Sequence, residues 1–341
     1  ILKKHIFFLS IFTGYLLSIR ISGILIFIQY FIFILMLSND KKFNLIVFLK
    51  RIYKEAIIAT FLIFFIYIIL QPGIWSNPLL IFDAIKYMSS HIQSVCTLTL
   101  GECMKAQDLP ASYLFIWIFF KLPIVILIGL ILYFYIEKKI ENSFNNYIII
   151  SLIFSISSII VLLILFNVNL YDEIRQVMFL IPLIFIISLT SLNYFSKRVF
   201  SILINFFIIY FIFQNIFIYP YNYIWINNFS HFSKINKVFE LDYWGASTKK
   251  VASVINQHRL NVEACLITNR NDALELLLPG DKCLIEFKNL HQKQTKPFYV
   301  ALFERGINKG VPNNCRLFFE EKKRVNFSNE KLTLAKIYKC D

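Results

Sequence analysis

Long apolar stretches alternate with short polar connectors over the first two thirds of the chain. Apolar runs predict membrane helices at 5–38, 56–71, 113–136, 147–166, 177–194 and 199–219. The first run is interrupted at Arg20, and as one straight helix it would extend about 51 Å, well beyond a hydrocarbon core of about 30 Å. We therefore expect two short helices there, and about seven membrane segments in total.

The pattern changes after Pro220, where the apolar runs shorten to the length of strands. Strands are predicted at 264–268, 283–287, 298–303, 316–319 and 332–338, and helices at 245–258 and 272–278. We divide the chain into a transmembrane region (1–219) with an outer loop at 72–112, a membrane-proximal connector (220–244) and a C-terminal domain (245–341). The expected fold class is a polytopic α-helical membrane protein with a small α/β domain outside the membrane.

Composition supports the membrane assignment. Of the 341 residues, 57% are hydrophobic and only 16% are charged, whereas soluble domains average about a quarter charged residues. The net charge of +14 suggests nucleic acid at first sight. Outside the C-terminal part, however, most basic residues lie in short connectors between apolar runs, which is a signal of membrane topology. We therefore expect no nucleic-acid partner.

The basic residues also predict which side of the membrane each connector faces. Lys and Arg residues at 3–4, 39–55, 138–139 and 197–198 fall on one side if seven segments alternate, and the positive-inside rule makes that side cytoplasmic. The loop at 72–112, the stretch at 167–176 and everything after Pro220 then face outward. We expect an integral membrane protein whose C-terminal domain is extracytoplasmic.

All six cysteines lie in segments predicted to be outside: Cys96, Cys103, Cys265, Cys283, Cys315 and Cys340. That compartment is oxidising, so disulfides are expected. Cys96 and Cys103 share one loop and could close a hairpin, whereas the other four cysteines allow three pairings that the sequence does not rank. A metal site is less well supported, because no Cys-x-x-Cys motif or paired histidine accompanies them.

The stretch at 167–176 is unusually polar for a connector between two apolar runs. It carries Tyr171, Asp172, Glu173, Arg175 and Gln176. Ionisable groups at the edge of the hydrocarbon are costly, so their default interpretation is functional. Arg175, like Arg20 in an earlier turn, lies on the outer face against the charge rule. Each could instead snorkel to the interface or pair locally, Arg175 with Glu173 for example.

Aromatic and polar side chains mark the other outer segments. They are Trp75, Asn77, Glu102, Tyr113 and Trp117 around the loop at 72–112, and Asp242 and Trp244 before the first helix of the C-terminal domain. Aromatic residues often anchor a protein in the membrane interface, and Asp242 could simply cap a helix. The alternative is a substrate rim, and spacing alone does not decide. The sequence has no Gly-x-Ser-x-Gly elbow, P-loop or His-Glu-x-x-His motif.

Taken together, these pieces resemble the integral-membrane glycosyltransferases of the GT-C superfamily, in the bacterial branch related to protein O-mannosyltransferases and aminoarabinose transferases. The resembling motifs are, in order, Trp75-Ser76-Asn77-Pro78, Leu109–Trp117, Tyr171–Gln176 with Phe179–Pro182, Tyr219-Pro220-Tyr221 and Glu240–Gly245. They span most of residues 5–258, and the region after 258 carries no matching motif.

The resemblance implies inverting transfer of a sugar from a polyprenyl-phosphate donor to a lipid, glycan or protein acceptor at the outer face of a bacterial inner membrane, often with Mg²⁺ or Mn²⁺. Arg175, Tyr171, Gln176 and Arg20 would then bind the donor phosphate. Asp172 and Glu173 would orient the arginine or bind the cation. Trp75, Asn77, Glu102, Tyr113, Trp117, Asp242 and Trp244 would form the rim for acceptor and sugar.

The base of such enzymes is an acidic residue in a first outer loop near the N-terminus. The chain opens with Ile1-Leu2-Lys3-Lys4 and enters an apolar run at once, so we interpret it as the C-terminal part of a longer enzyme, inactive alone. Relatives often have His where Gln176 stands, and an amide cannot carry a proton at neutral pH.

Two other classes of function stay open. One is a transporter or flippase of a lipid-linked or anionic solute, and the other is a non-catalytic membrane sensor that reads ligands with its outer α/β domain. The transporter is disfavoured because the charges cluster at one face and no internal repeat is visible, whereas transporters commonly show paired halves with charges near mid-membrane.

Overall fold

A computed structural model describes residues 2–340 with the exception of 20, 39–43, 78, 81, 84–95, 107, 141–143, 233–234, 259–263, 279–282, 288–296, 304–309 and 326–330. The chain divides into two compact units. A helical unit comprises Ile1–Ser94, Ile128–Leu170 and Val177–Phe200, and a mixed unit comprises Val95–Leu127, Tyr171–Gln176 and Ser201–Asp341.

Apolar helices build the helical unit. They are α1 (Leu2–Ile19), α2 (Ile26–Ser38), α3 (Leu45–Ile69), most of α5 (Ile124–Ile140), α6 (Phe144–Leu165) and α7 (Leu180–Phe195). Helix α3 packs against α1, and α6 packs against α2 and α7. Asn44 caps α3, because its side-chain oxygen accepts a hydrogen bond from the Val47 N–H at 3.1 Å.

Fewer helices can cross a membrane than the sequence predicts. Within the described residues, three are long and apolar enough: Ile52–Ile69, Tyr147–Leu165 and Lys197–Ile218. A bent pair, Ser112–Lys121 with Ile124–Ile136, raises the number to four if it counts as one span, and the apolar helices at Lys4–Ile19, Gly23–Met36 and Leu180–Phe195 are shorter. The expectation of about seven spans is therefore wrong for the described chain. Apolar composition continues through helix ends and breaks, so it overstates helix length.

Pro123 causes the break in the bent pair. Helix α4 (Ser112–Lys121) ends at Leu122, whose backbone is extended, and α5 begins at Ile124 after a bend of 116°. Proline has no N–H to donate and clashes with the preceding helical turn. The side-chain amide of Asn227 donates to the carbonyl oxygens of Phe119 and Leu122, at 2.6 and 2.9 Å. These bonds satisfy carbonyl acceptors at the end of α4, so a tertiary contact stabilises the break.

The mixed unit contains a hairpin and a five-stranded sheet. The hairpin pairs β1 (Cys96–Thr99) with β2 (Glu102–Lys105). The sheet has the order β4-β3-β5-β7-β6, with β3 parallel to β4 and β5, and β7 antiparallel to β5 and β6. Its strands are β3 (Leu266–Thr268), β4 (Leu284–Glu286), β5 (Phe298–Phe303), β6 (Cys315–Arg324) and β7 (Lys331–Cys340). Helix α8 (Lys197–Ile218), the short α9 (Ile235–Val238), α10 (Thr248–His258) and α11 (Asn271–Leu277) complete the described helices.

The predicted small α/β region is confirmed. Val251 and Ile255 of α10 and Leu274 of α11 bury their side chains against Leu266 and Phe303 of the sheet. The predicted strand at 316–319 is in fact longer, because β6 continues through a charged run to Arg324 at the edge of the sheet. Edge strands commonly carry charged side chains, which an apolar pattern does not detect.

Two disulfides join the strands of the sheet. Cys265 and Cys283 precede the parallel neighbours β3 and β4, and their bond fixes one of the three pairings that the sequence left open. Cys315 and Cys340 lie directly opposite each other in β6 and β7 and form the second disulfide. Cys103 is also disulfide-bonded, and the side chain of Cys96 lies outside the described part. The hairpin predicted around these two residues is present.

Replacing Gly129 with Ala is expected to destabilise the helical unit. A Cβ at this position of α5 would lie 2.0 Å from Ser188 Oγ and 2.6 Å from the Ser188 carbonyl oxygen on α7. Forcing an atom into a close-packed contact costs about 1–3 kcal/mol, so the thermal unfolding midpoint in detergent should fall. Gly73→Ala is the control, because a Cβ there meets nothing within 4 Å. Equal midpoints for the two variants would contradict this packing.

Candidate functional site

The loop Tyr171–Gln176 of the mixed unit is built on unusual backbone conformations. Asp172 and Glu173 have φ angles of 57° and 64°, in the left-handed region that residues with a Cβ rarely adopt. Each such residue costs about 1–3 kcal/mol and persists only where surrounding contacts over-determine it. Both side chains are buried. The contacts that hold this loop are therefore the ones that define the site.

A buried ion pair fixes Glu173 beneath the loop. Lys121 Nζ, at the end of α4, lies 2.6 Å from Glu173 Oε2 and donates a hydrogen bond to the Tyr223 carbonyl oxygen at 3.0 Å. The side chains of Lys121 and Glu173 are only 6% and 4% exposed. The Tyr113 hydroxyl accepts a hydrogen bond from the Glu173 N–H at 3.1 Å. The strained backbone is thus held through both the side chain and the main chain.

Burial changes the ionisation of Glu173. Desolvation raises the pKa of its carboxyl to about 8, although the Lys121 ammonium works in the opposite direction. Negative charge on Glu240 and Asp172 raises this pKa further. The second carboxyl oxygen, Oε1, is buried and has no hydrogen-bond partner within the described residues. Glu173 therefore gains or loses its proton close to neutral pH, well above the range of an exposed glutamate.

Arg175 is clamped between two aromatic rings at the surface of the unit. Its guanidinium carbon lies 4.8 Å from the centre of the Trp244 ring and 5.5 Å from the centre of the Tyr171 ring. Its Nη1 donates a hydrogen bond to Asp172 Oδ2 at 3.0 Å. The Arg175 side chain is 31% exposed and Trp244 is 58% exposed. The guanidinium is therefore fixed in direction while part of it can be reached from solvent.

Asp242 orders the turn that presents Trp244. Its Oδ2 accepts a hydrogen bond from Ser247 Oγ at 2.6 Å, and its Oδ1 accepts from the Ala246 N–H at 2.9 Å and from the Tyr223 hydroxyl. Burial raises the pKa of this carboxyl. Helix α10 begins only at Thr248, so Asp242 shapes the turn before the helix. It is not a residue of an exposed rim, because its side chain is buried.

Tyr113 and Trp117 also lie away from the surface. They are 1% and 0% exposed, so the expected role as interface anchors or substrate rim is wrong for both. Trp117 Nε1 donates to Thr99 Oγ1 in β1 at 3.0 Å, and its ring contacts Phe239 with 5.3 Å between ring centres. Helix α4 is covered on this face by the hairpin and by the segment at Phe239, a tertiary contact that spacing does not reveal.

The other predicted site residues are dispersed. Glu102 is exposed on β2, whereas Trp75 and Asn77 are exposed in the helical unit. Arg20 lies outside the described residues, and Gln176 is half-buried in the loop beside Arg175. The structure thus brings together Tyr171, Asp172, Glu173, Arg175 and Trp244. Arg175 does pair locally, but its partner is Asp172 and not Glu173, which pairs with Lys121.

Sequence reasoning missed Lys121. This lysine lies inside the apolar run at 113–136, and a cation in such a run is itself a signal of function or of a specific partner. Pro123 follows two positions later and marks the helix break that places the ammonium group at a helix end. Read together, these two residues would have suggested a buried acidic partner.

The described residues show no ligand group for the divalent cation that the resemblance implies. Over the described ranges, no group of three or more His, Cys, Asp or Glu side chains could hold a metal ion. The two acids of the loop already have cationic partners, Arg175 for Asp172 and Lys121 for Glu173. Of the two roles expected for Asp172, orienting the arginine is the one that its contact favours.

Comparison with known proteins gives no relative: no family model, no curated protein and no solved structure matches this chain. The function is therefore inferred from the residues and geometry of the site.

Proposed function

We propose that this chain supplies the donor-phosphate site of an integral-membrane glycosyltransferase that uses a polyprenyl-phosphate-linked sugar. The observation that carries the proposal is the Arg175 guanidinium, fixed between Tyr171 and Trp244 and still partly exposed. A guanidinium binds two phosphate oxygens through parallel hydrogen bonds. Held rigidly, it also stabilises negative charge that develops on a leaving phosphate.

The position of the loop relative to a membrane helix supports a lipid-linked ligand. Helix α8 is long and apolar enough to cross a membrane and ends at Ile218. Tyr223, shortly after that end, provides the carbonyl oxygen that accepts from Lys121. The ion pair beneath Arg175 therefore lies near the level where α8 leaves the hydrocarbon. The phosphate of a membrane-embedded carrier occupies the same level, on the extracytoplasmic face in this proposal.

The proposed reaction is an inverting displacement at the sugar carbon. The acceptor hydroxyl oxygen forms a bond to C1 while the bond from C1 to the phosphate oxygen breaks, and the phosphate keeps the electron pair. Arg175 stabilises that charge, and Asp172 fixes the arginine. The proton acceptor is not assigned to the loop, because Gln176 cannot carry a proton and Glu173 is buried in its pair with Lys121.

A transporter or flippase of a lipid-linked or anionic solute is the second candidate. The bend of 116° between α4 and α5 favours it, because discontinuous helices commonly form the binding sites of transporters. A charged residue, Lys121, lies at that break. Both candidate functions therefore involve Lys121 and the loop Tyr171–Gln176 to which it is bound. Only the transferase cleaves the lipid-linked donor.

Sugar release from a radiolabelled polyprenyl-phosphate donor by the full-length protein in liposomes separates the two functions. A transferase moves the label to an acceptor, and Arg175→Ala should slow transfer by about 100-fold or more, the effect of removing one donor to a developing oxyanion. Arg316→Ala, which removes an exposed arginine of β6, should leave the rate unchanged. Unaltered turnover in Arg175→Ala would refute the role of Arg175. Movement of intact donor across the bilayer without release would favour the transporter.

A further inference from the structure

Trp244, which covers one face of the Arg175 guanidinium, lies in a turn whose two neighbouring peptide groups are both held. On one side, the Gly245 N–H donates a hydrogen bond to the Asp242 carbonyl oxygen at 3.0 Å. On the other side, the carbonyl oxygen of Tyr243 accepts a hydrogen bond from Arg270 Nη2. The first bond is internal to the turn, whereas the second joins the turn to the region of the sheet.

Arg270 is itself held firmly by the sheet. It follows β3, the strand that lies between β4 and β5, and its N–H donates a hydrogen bond to Thr268 Oγ1 at 3.1 Å. Its carbonyl oxygen accepts from the Leu274 N–H at 3.2 Å, at the start of α11. The preceding residue, Asn269, accepts a hydrogen bond from the Phe303 N–H at 2.9 Å through its side-chain oxygen. The guanidinium therefore extends from a fixed backbone.

The guanidinium also packs directly against the backbone of the turn. Gly245 has a φ of 65°, and a Cβ at this position would lie 3.0 Å from Arg270 Nε and 3.2 Å from its Nη2. Only glycine adopts such a backbone without strain and leaves this space to the arginine. Burial raises the pKa of the Asp242 carboxyl, and the positive charge of Arg270 acts in the opposite direction. The arginine thus contacts the turn on both sides of Trp244.

We propose that Arg270 is a positioning residue of the Arg175 site: it holds the turn so that the Trp244 ring stays over the guanidinium of Arg175. The contacts run from β3 through Arg270 and the Tyr243 carbonyl to Trp244, whose ring centre lies 4.8 Å from the Arg175 guanidinium carbon. All of these residues belong to the mixed unit. The α/β region thereby contributes to the site without contacting a ligand. The placement of Trp244 is argued from contacts alone, whereas its effect on phosphate binding rests on the proposed function.

Quenching of tryptophan fluorescence by acrylamide tests the position of Trp244 in the intact chain. The experiment uses a Trp75→Phe background in detergent, in which Trp244 is the exposed tryptophan, because Trp117 and Trp225 are buried. Arg270→Met should raise the Stern–Volmer constant by about twofold, since a ring stacked on a guanidinium presents only one of its two faces to solvent. A general loss of structure is recognised separately, because it would also expose the two buried tryptophans and shift their emission to longer wavelength.

A second variant reaches the same contact from the turn. Gly245→Ala keeps Arg270 but places a Cβ where the guanidinium lies, so it should also raise the quenching of Trp244. Gly310→Ala is its control, because a Cβ there meets nothing within 4 Å. Arg316→Met, which removes an exposed arginine of β6, is the control for Arg270→Met. Both controls should leave quenching unchanged, and the proposal is overturned if either Arg270→Met or Gly245→Ala does so as well.

Binding of polyprenyl monophosphate and of uncharged polyprenol then tests the consequence for the site. Arg270→Met should lower the preference for the phosphate by about threefold or more, because Arg175 without its clamp loses more rotamer freedom on binding. A full preference despite raised quenching would overturn the role of Arg270 in binding. An unmodified chain without any preference would instead refute the phosphate site, while the quenching still decides whether Arg270 positions Trp244.

Discussion

Replacing Lys121 with Met is expected to lower the free energy of unfolding by about 3 to 5 kcal/mol when it is measured above pH 8, where the Glu173 carboxyl is ionised, because the substitution leaves the buried carboxylate without a cation. The effect is large because both side chains are nearly inaccessible and lie 2.6 Å apart. The carboxyl must then take up a proton or force the strained backbone at Asp172 and Glu173 to open. Urea or thermal unfolding in detergent measures the loss, and Lys105→Met, at an exposed position of β2, is the matched control.

A second substitution distinguishes a broken ion pair from a simple packing defect. Adding Glu173→Gln to Lys121→Met removes the uncompensated charge, so the double variant should be more stable than Lys121→Met alone. Replacing a whole buried pair is often far less costly than removing one partner. If the two substitutions destabilise additively, the pair does not hold the loop in the way described.

The second large effect is a fall in stability as the pH rises through neutrality. The Glu173 carboxyl has a pKa of about 8 in the folded chain, against 4.5 as the ordinary value. The folded state therefore holds this proton more tightly than the unfolded state. The resulting stability is fully present below pH 4.5 and is lost as the pH rises to about 8, by at most about 1.4 kcal/mol per pH unit.

Thermal midpoints measured between pH 5 and pH 9 check this dependence. The unmodified protein should lose stability as the pH rises, and Glu173→Gln should show a flatter profile. Some slope will persist in the variant, because burial also raises the pKa of Asp242. Glu102→Gln, which neutralises an exposed carboxylate of β2, should keep the slope of the unmodified protein. A rising profile, or identical slopes for Glu173→Gln and the unmodified protein, would contradict the assignment.

The sequence predicts which segments are helical better than it predicts where they end. Apolar runs locate the long helices of the described residues, because burial in lipid or protein selects the same residue types. The break at Pro123 goes unnoticed because Leu122 and Ile124 are as apolar as their neighbours. A single residue that lacks an N–H decides the geometry there, and its compensation comes from Asn227, far away in the chain.

The sheet shows the same division between local and long-range information. The predicted strand at 298–303 has the observed bounds of β5, since its hydrophobic run is short and lies between Pro297 and Glu304. The disulfide pairs could not be ranked, because the pairing follows from the order in which β3, β4, β6 and β7 lie side by side. That order is set by contacts between segments distant in the chain.

The sequence indicates only part of the candidate site. The acidic and basic residues of 171–176 indicate function through their cost at a membrane edge, and the structure places Trp244 over Arg175. Arg175 pairs with Asp172, and Glu173 pairs with Lys121, because left-handed backbone at Asp172 and Glu173 directs these two side chains to different cations. No periodicity argument predicts such a backbone. Lys121, which holds Glu173 of the loop, lies inside an apolar run, and the hydrophobic pattern does not distinguish it from its neighbours.

Binding of polyprenyl monophosphate, compared with the uncharged polyprenol of the same length, tests the central claim about Arg175 most directly. The unmodified chain in detergent should bind the phosphate more tightly than the alcohol by about tenfold or more, as a charge-assisted bidentate contact predicts. Arg175→Ala should abolish that difference while leaving the affinity for polyprenol unchanged. Equal affinities of the unmodified chain for the two lipids, or full discrimination by Arg175→Ala, would contradict the account.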